Sequence, residues 1–326
     1  MKFLLHFSVG AVALAAFHSS AVTGADWKPE RNIEFVVGTA PGSRQDRTAR
    51  VLQKIWQDMK LLPVPQAVIN RPGGGGEIGW AYFTRFPGDA HYLAMASPAM
   101  ISNQLLGKSK QTLADVTPLA LLNAGFTTFS VRANHSLKSM DDLAQRLKKD
   151  PVSVSFGFGT SIGNALHVTG AQYGHALRLD ARKMKMVVFN ASAEAMTSVM
   201  GGHVDVLITS FSTIVSAVSN NQMRVLGVAS PARNSAFADV PTFRESGVDL
   251  VFSNWNGVVG TKGLTTQQIA YWDSLLGKTV ASPEWKATMA KDHQEAVYLP
   301  SHEMKKYMEK ESEQYRAILT QLGLIK

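Results

Sequence analysis

The chain has 326 residues, 45% hydrophobic, 18% charged and 9% aromatic; that is enough for two ordinary domains with full cores, and shows no compositional sign of disorder. It contains no cysteine, which excludes disulfides, cysteine-ligated zinc, iron–sulfur clusters, thiol catalysis and a lipoprotein anchor. The formal charge is +8, but the densest basic groups, Lys148-Lys149 and Arg182-Lys183-Lys185, are short and read as solvated faces; without a zinc-finger or RNA-binding pattern no nucleic-acid partner is expected, while small anionic ligands fit the balance.

In chain order, residues 1–25 read as a signal peptide. Lys2 gives a basic start, 3–17 a mainly apolar stretch, and Thr23-Gly24-Ala25 small residues for cleavage. The apolar run is too short to span a membrane as a helix, so the mature chain is expected to start near Asp26 and to reach the periplasm; an uncleaved terminal helix is the plainer alternative. Strand candidates follow at 33–37, 92–96, 127–131, 152–156, 186–189, 204–208 and 225–228. Between them lie amphipathic helices. Thr48, Leu52, Ile55 and Met59 share one face of the first, and Met308, Tyr315, Leu319 and Leu322 one side of the last, at about 302–322. Ser139 with Asp142 and Thr265 with Gln268 fit capping boxes, and Ser282-Pro283 fits an N-cap before a first-turn proline. Alternating strands and helices predict an α/β fold with mainly parallel sheets covered by helices. No linker or repeat marks a domain boundary.

Three segments invite chemistry. Ala40-Pro41-Gly42-Ser43-Arg44-Gln45-Asp46 joins the first strand to the first helix. Such a turn offers free backbone N–H groups and a positive helix end to an anion, and Arg44 adds a fork suited to a carboxylate. The alternative is a plain turn with Arg44 in solvent. Asn70-Arg71-Pro72-Gly73-Gly74-Gly75-Gly76-Glu77-Ile78-Gly79 lacks the lysine and hydroxyl of a phosphate loop and the spacing of a dinucleotide fingerprint. A tight turn that lets the next helix pack closely is the better reading. Gly159-Thr160-Ser161-Ile162-Gly163 matches a hydrolase nucleophile elbow, with Asp205 or Asp249 and His293 or His302 as possible partners for Ser161. Such glycine–serine patterns are common, and a helix start offering amides and hydroxyls to a carboxylate is the better reading. His302-Glu303 lacks a second histidine, since position 306 is lysine, and the nine histidines show no ligand spacing. Neither metal nor cofactor is expected, and His167 reads as structural.

These motifs, in this order behind a leader, resemble the tripartite tricarboxylate transporter receptor (Bug/TctC) family of periplasmic binding proteins. Residues 33–50 resemble its opening strand, Pro-Gly turn, Asp and Ala-Arg. Asn70-Arg71-Pro72-Gly73 with Gly76 and Ile78-Gly79 is similar to its most specific signature. Phe156-Gly157 through His167, Gly201-Gly202-His203-Val204-Asp205, and Asp239-Val240-Pro241-Thr242 with Glu245 and Gly247 carry the rest, over nearly the whole mature chain. The resemblance implies a two-lobe binding protein and no enzyme. Lobe 1 would hold 26–124 and 229–326, lobe 2 would hold 125–228, and closure would follow ligand binding. It implies a small organic acid held by Ala40, Gly42, Ser43, Arg44, Gln45 and Asp46 of the first loop and by Phe158, Gly159, Thr160, Ser161, Gly163 and Asn164 of the second. Asn190, Ala191 and Ser192 form another cleft loop; Ser97 and Thr209, just past strand candidates, complete the set. The partners it implies are integral membrane subunits (TctA/TctB-like); a sensory role, with the liganded protein touching a signalling ectodomain, is the alternative, and a monomer is expected. Two departures stand out. Gly42-Ser43-Arg44-Gln45 replaces a glycine triplet and a hydroxyl residue, which favours a ligand with two or more carboxylates and Arg44 on the distal one. Phe158 replaces a small residue, which suggests an apolar wall.

Overall fold

The computed structural model describes residues 27–159, 161–233 and 238–326; the expected signal peptide at 1–25 and Thr160 lie outside the described residues. Strand β1 (Ile33–Val37) buries both faces, as a strand inside a helix-covered sheet must. Ile33, Phe35 and Val37 join one core cluster, with Trp56, Trp272 and Trp285. Val36 points the other way, into a cluster with Trp80 and Phe83. Helix α1 (Arg44–Asp58) starts on Ser43, whose hydroxyl accepts from the Asp46 amide, and it buries Thr48, Leu52, Ile55 and Trp56 against β1. Met59 falls past the last helical residue and is 48% exposed, so the expected face ends at Ile55.

The chain continues through β2 (Gln66–Asn70), α2 (Glu77–Phe83), β3 (Tyr92–Ala96) and α3 (Pro98–Leu105) into β4 (Val116–Arg132). Next come α4 (Met140–Lys149), β5 (Ser155–Gly159), α5 (Ala165–Ala176), β6 (Lys185–Phe189), α6 (Ser192–Met200), β7 (Val206–Ser210), α7 (Phe211–Ser219) and β8 (Met223–Val228). The chain closes with β9 (Ser253–Thr261), α8 (Thr266–Ala281), α9 (Pro283–Lys291), β10 (Glu295–Pro300) and α10 (Ser301–Gln321). Both expected capping boxes form, and Ser282 caps the helix that opens on Pro283.

Strand order is β2-β1-β3-β9-β4-β7-β5-β6, with β8 and β10 also on β4. The outer strands pair in parallel, β1 with β2 and β3, and β5 with β6 and β7. The strands around β4 are antiparallel. The α/β fold is as expected, but its sheet is mixed rather than mainly parallel: β9 and β10 run against β1, β2 and β3, and β4 itself runs against β7 and β8.

β4 has 17 residues where only 127–131 read as a strand. Its first half pairs with β9 and β10, from Val116 opposite Thr261 to Phe126 opposite Ser253. Its second half pairs with β7 and β8, beginning with Thr127 opposite Ser210 and Thr128 opposite Val228. The chain returns beside it: the Ala229 amide donates to the Thr127 carbonyl, and the Phe252 amide to the Ala229 carbonyl. Both passages between the two strand sets therefore lie side by side.

Candidate functional site

Five helices point their N-termini at one cleft. A chamber of about 280 Å³ is lined by Ser43, Arg44 and Gln45 of α1, Ser97, Pro98 and Ala99 of α3, Asn164, Ala165 and Leu166 of α5, Ser192 of α6, and Thr209 and Ser210 at α7, with Thr39 and Asn254 closing it. A second chamber of about 550 Å³ shares Thr39, Gln45, Ser97, Ala99 and Asn164 with the first, and extends past Ala40, Ser161 and Asn190 to the glycine turn, Trp80 and Asn103. Each helix start leaves backbone N–H groups without intrahelical partners and carries a partial positive charge. Among the described residues Arg44 is the one charged residue lining either chamber. The cleft therefore has a positive potential and suits an anion.

Each start is prepared locally. At α1, the Ser43 hydroxyl caps Asp46 N at 3.2 Å and meets Thr39 Oγ1 at 2.6 Å. At α5, Asn164 Oδ1 accepts from the His167 amide at 2.9 Å, and Asn164 Nδ2 donates to the Gly159 carbonyl at 2.7 Å. Ser97, Ala191 and Ser210 cap their helices without a side-chain bond. Their first-turn amides therefore have no capping oxygen of their own.

Arg44 is half-buried, and its Nη1 donates to the Asn254 carbonyl at 2.7 Å. Burial, and then the nearby Arg47, pull its pKa down to about 10, which leaves it charged at neutral pH. Among the described residues no ion pair involves Arg44.

The remaining candidates sit behind the walls. Asp46 is buried, and accepts from the Gly42 amide at 2.8 Å, Asn70 Nδ2 at 2.9 Å and Arg50 Nε at 3.0 Å. Burial pushes its pKa up, but the bonds from Arg50, Gly42 and Asn70 outweigh this and hold it below the usual carboxylate value. Asn70 Nδ2 also donates to the Thr39 carbonyl at 3.0 Å, tying the first loop to the glycine run. Gly42, at φ +78°, shapes the turn. Phe158 is buried and stacks on His167, ring centroids 5.2 Å apart, so it supports the second loop from below. His167 Nδ1 accepts from the Gly163 amide at 3.0 Å, and burial lowers its pKa to about 4, so the ring is neutral. Gly159 permits a close approach: a Cβ there would lie 2.2 Å from the Ser192 nitrogen. The missing side chain is what lets Ala191 and α6 reach the cleft. The glycine run also works by packing, since a Cβ on Gly38 would lie 2.9 Å from Gly76 Cα.

The elbow reading of Ser161 has no support in this geometry. Asp205 accepts from the Ser155 amide and hydroxyl and meets His135. Asp249 pairs with Arg244, and His302 lies beside Glu303. Among the described residues no hydrogen bond joins Ser161 to a histidine.

Sequence reasoning missed Thr39, Ser210, Asn254, Trp80 and Asn103. Ser210 had a readable signal as the residue between a strand and a helix; Asn254 had none, because its strand carries no alternation.

A family model described as the tripartite tricarboxylate transporter family receptor matches residues 49–324. The chain is 26% identical over 330 residues to the UPF0065 protein in the gbd 5'region of Cupriavidus necator, covering 98% of this chain and 95% of that one. It is 28% identical over 261 residues to Protein BugT of Bordetella pertussis, covering 78% of each. A TctC solute binding protein from Polaromonas superposes with TM-score 0.77 at 23% identity, over 90% of this chain and 99% of that one. R. palustris Rpa4515 with adipate gives TM-score 0.77 at 18% identity over 90% and 98%, and Rhodopseudomonas palustris MatC with bound malate gives 0.72 at 17% over 89% and 99%. At such identities these structures show that the chain has the α/β periplasmic binding protein fold. The chain belongs to the tripartite tricarboxylate transporter receptor family.

Proposed function

We propose that this protein is an exported periplasmic receptor that captures a small organic acid with two or more carboxylates and presents it to the membrane subunits of a tripartite tricarboxylate transporter. The observation that carries this reading is the composition of the cleft: among the described residues, five helix N-termini and one guanidinium without a carboxylate partner. Family membership supports the transporter partnership, and the adipate and malate in two structural neighbours support the ligand class. No helix among the described residues is long and apolar enough to cross a membrane.

The two strand sets joined at β4 serve as lobes, at 26–124 with 229–326 and at 125–228. The acid sits between them, with Ser43, Gln45, Ser97, Ser161, Asn164, Asn190, Ser192 and Thr209 around it. Closure follows because the ligand touches both walls only when the cleft shuts.

A thermal-shift screen of the chain from Asp26 against C4–C6 mono-, di- and tricarboxylates tests this. A ligand at a hundred times its Kd adds ~2.7 kcal/mol of apparent stability, or ~5 °C for a chain of this size. Diacids or triacids that raise Tm by that amount support the reading. A panel in which none does so, while neutral solutes do, overturns it.

A further inference from the structure

We propose that Arg44 makes this cleft demand a second negative charge on its ligand and ties that charge to closure, through its hydrogen bond to the backbone at the crossing between the two strand sets. The inference rests on the receptor reading above and specifies how that site selects.

Asn254 stands opposite Gly125 in the β4–β9 ladder, one residue before the ladder's end at Phe126 and Ser253. From Thr127 onward β4 belongs to β7 and β8. A methyl group on Gly125 would lie 3.7 Å from the same Arg44 Nη1 that donates to the Asn254 carbonyl. The guanidinium therefore stands over the crossing itself. Arg44 and Asn254 also both line the smaller chamber, so one end of this contact meets the ligand.

A guanidinium carries five N–H donors in a plane. One is used on the Asn254 carbonyl, which orients the group without neutralising it. An anion in the chamber supplies the missing counter-charge. Its attraction to Arg44 strengthens as water leaves, because the local dielectric falls. The contact is then worth more in the shut cleft than in the open one, which is the differential a ligand needs to shift the equilibrium. A monoacid satisfies either the helix starts or Arg44, and closing around it leaves one of them desolvated and unpaired. A diacid satisfies both.

The test is calorimetric titration and solution X-ray scattering of the wild type, Arg44→Met and Arg44→Lys. The probes are succinate, malate and adipate, each against the monoacid of equal length: butyrate, 3-hydroxybutyrate and hexanoate. The wild type is expected to prefer the diacid by about 10- to 100-fold, the worth of one charge-assisted hydrogen bond, and to contract on binding it. Arg44→Met erases most of that preference and most of the contraction. Arg44→Lys recovers part of the preference through its charge but less of the contraction, having no fork to hold carbonyl and ligand together. A purely structural role would instead weaken both acids of a pair equally. That outcome, or unchanged preference and contraction in both variants, overturns this inference alone. Failure of the wild type to bind any of the diacids overturns the receptor reading with it.

Discussion

Gly159 shows how one absent side chain sets the width of the cleft. The nitrogen of Ser192 lies 2.2 Å from where its Cβ would go, and that neighbour is backbone, so it cannot rotate aside. Gly159→Ala is expected to push α6 off β5 and to destabilise the protein by about 1–3 kcal/mol, the usual cost of overpacking. Chemical denaturation measures the loss, and titration with the diacid should show weaker binding than in a surface control such as Lys149→Ala. Asn70 makes a related point. The resemblance marked Asn70-Arg71-Pro72-Gly73 without giving a reason; the reason is that Asn70 bonds both Asp46 and the Thr39 carbonyl, fixing the first loop. Asp46, expected to touch the ligand, is one layer further back for the same cause. Sequence spacing cannot tell a wall from its support, because both lie on one loop.

At the scale of elements, helix starts were legible and strand ends less so. A cap is a contact over three residues, so Ser139 with Asp142 and Thr265 with Gln268 could be read directly. Strand β5 lies at Ser155–Gly159, not 152–156, because the sheet pairs Gly157 and Gly159 with β6, and glycine carries no alternation signal. Ser43→Ala should cost about 1 kcal/mol of stability, as lost N-caps do, and should also weaken the diacid, because the same residue lines the chamber; Ser139→Ala should cost a similar amount and leave affinity unchanged.

Helix α10 carries its own pH response. Glu311 is 4% exposed and accepts from Trp255 Nε1. Burial raises its pKa to about 8, a shift the Trp255 bond only partly opposes. The folded state thus keeps a proton that the unfolded chain releases near the ordinary carboxylate value. Stability is fully present below that value and falls as pH rises toward about 8, by at most ~1.4 kcal/mol per pH unit. Urea midpoints between pH 5 and 9 should decline in the wild type and much less in Glu311→Gln. A flat wild-type profile would contradict this assignment.

On the scale of the molecule, β4 belongs to both strand sets, and α10 packs on β4, α3 and α5. Neither set has a complete sheet without that strand, so the chain should unfold in one step. The tryptophans test this cleanly. All six fall at positions 27, 56, 80, 255, 272 and 285, on the β1–β3 and β9 side. Their fluorescence follows that side alone, whereas far-ultraviolet dichroism follows both. Coincident transitions, shifted together by a bound diacid, are expected; separated ones would mean that the sets are stable independently.

The sequence by itself determined the α/β class, most helix starts, the first loop and its cation, and the family pattern. All of these are written in residues a few positions apart, where capping, turn chemistry and alternation act. The tertiary structure alone decided that five helix starts share one cleft, that β4 runs on through both strand sets, and that Arg44 meets Asn254, 210 positions away. Those facts depend on which distant surfaces pack together, and packing is settled by the summed burial of many side chains rather than by any local signal.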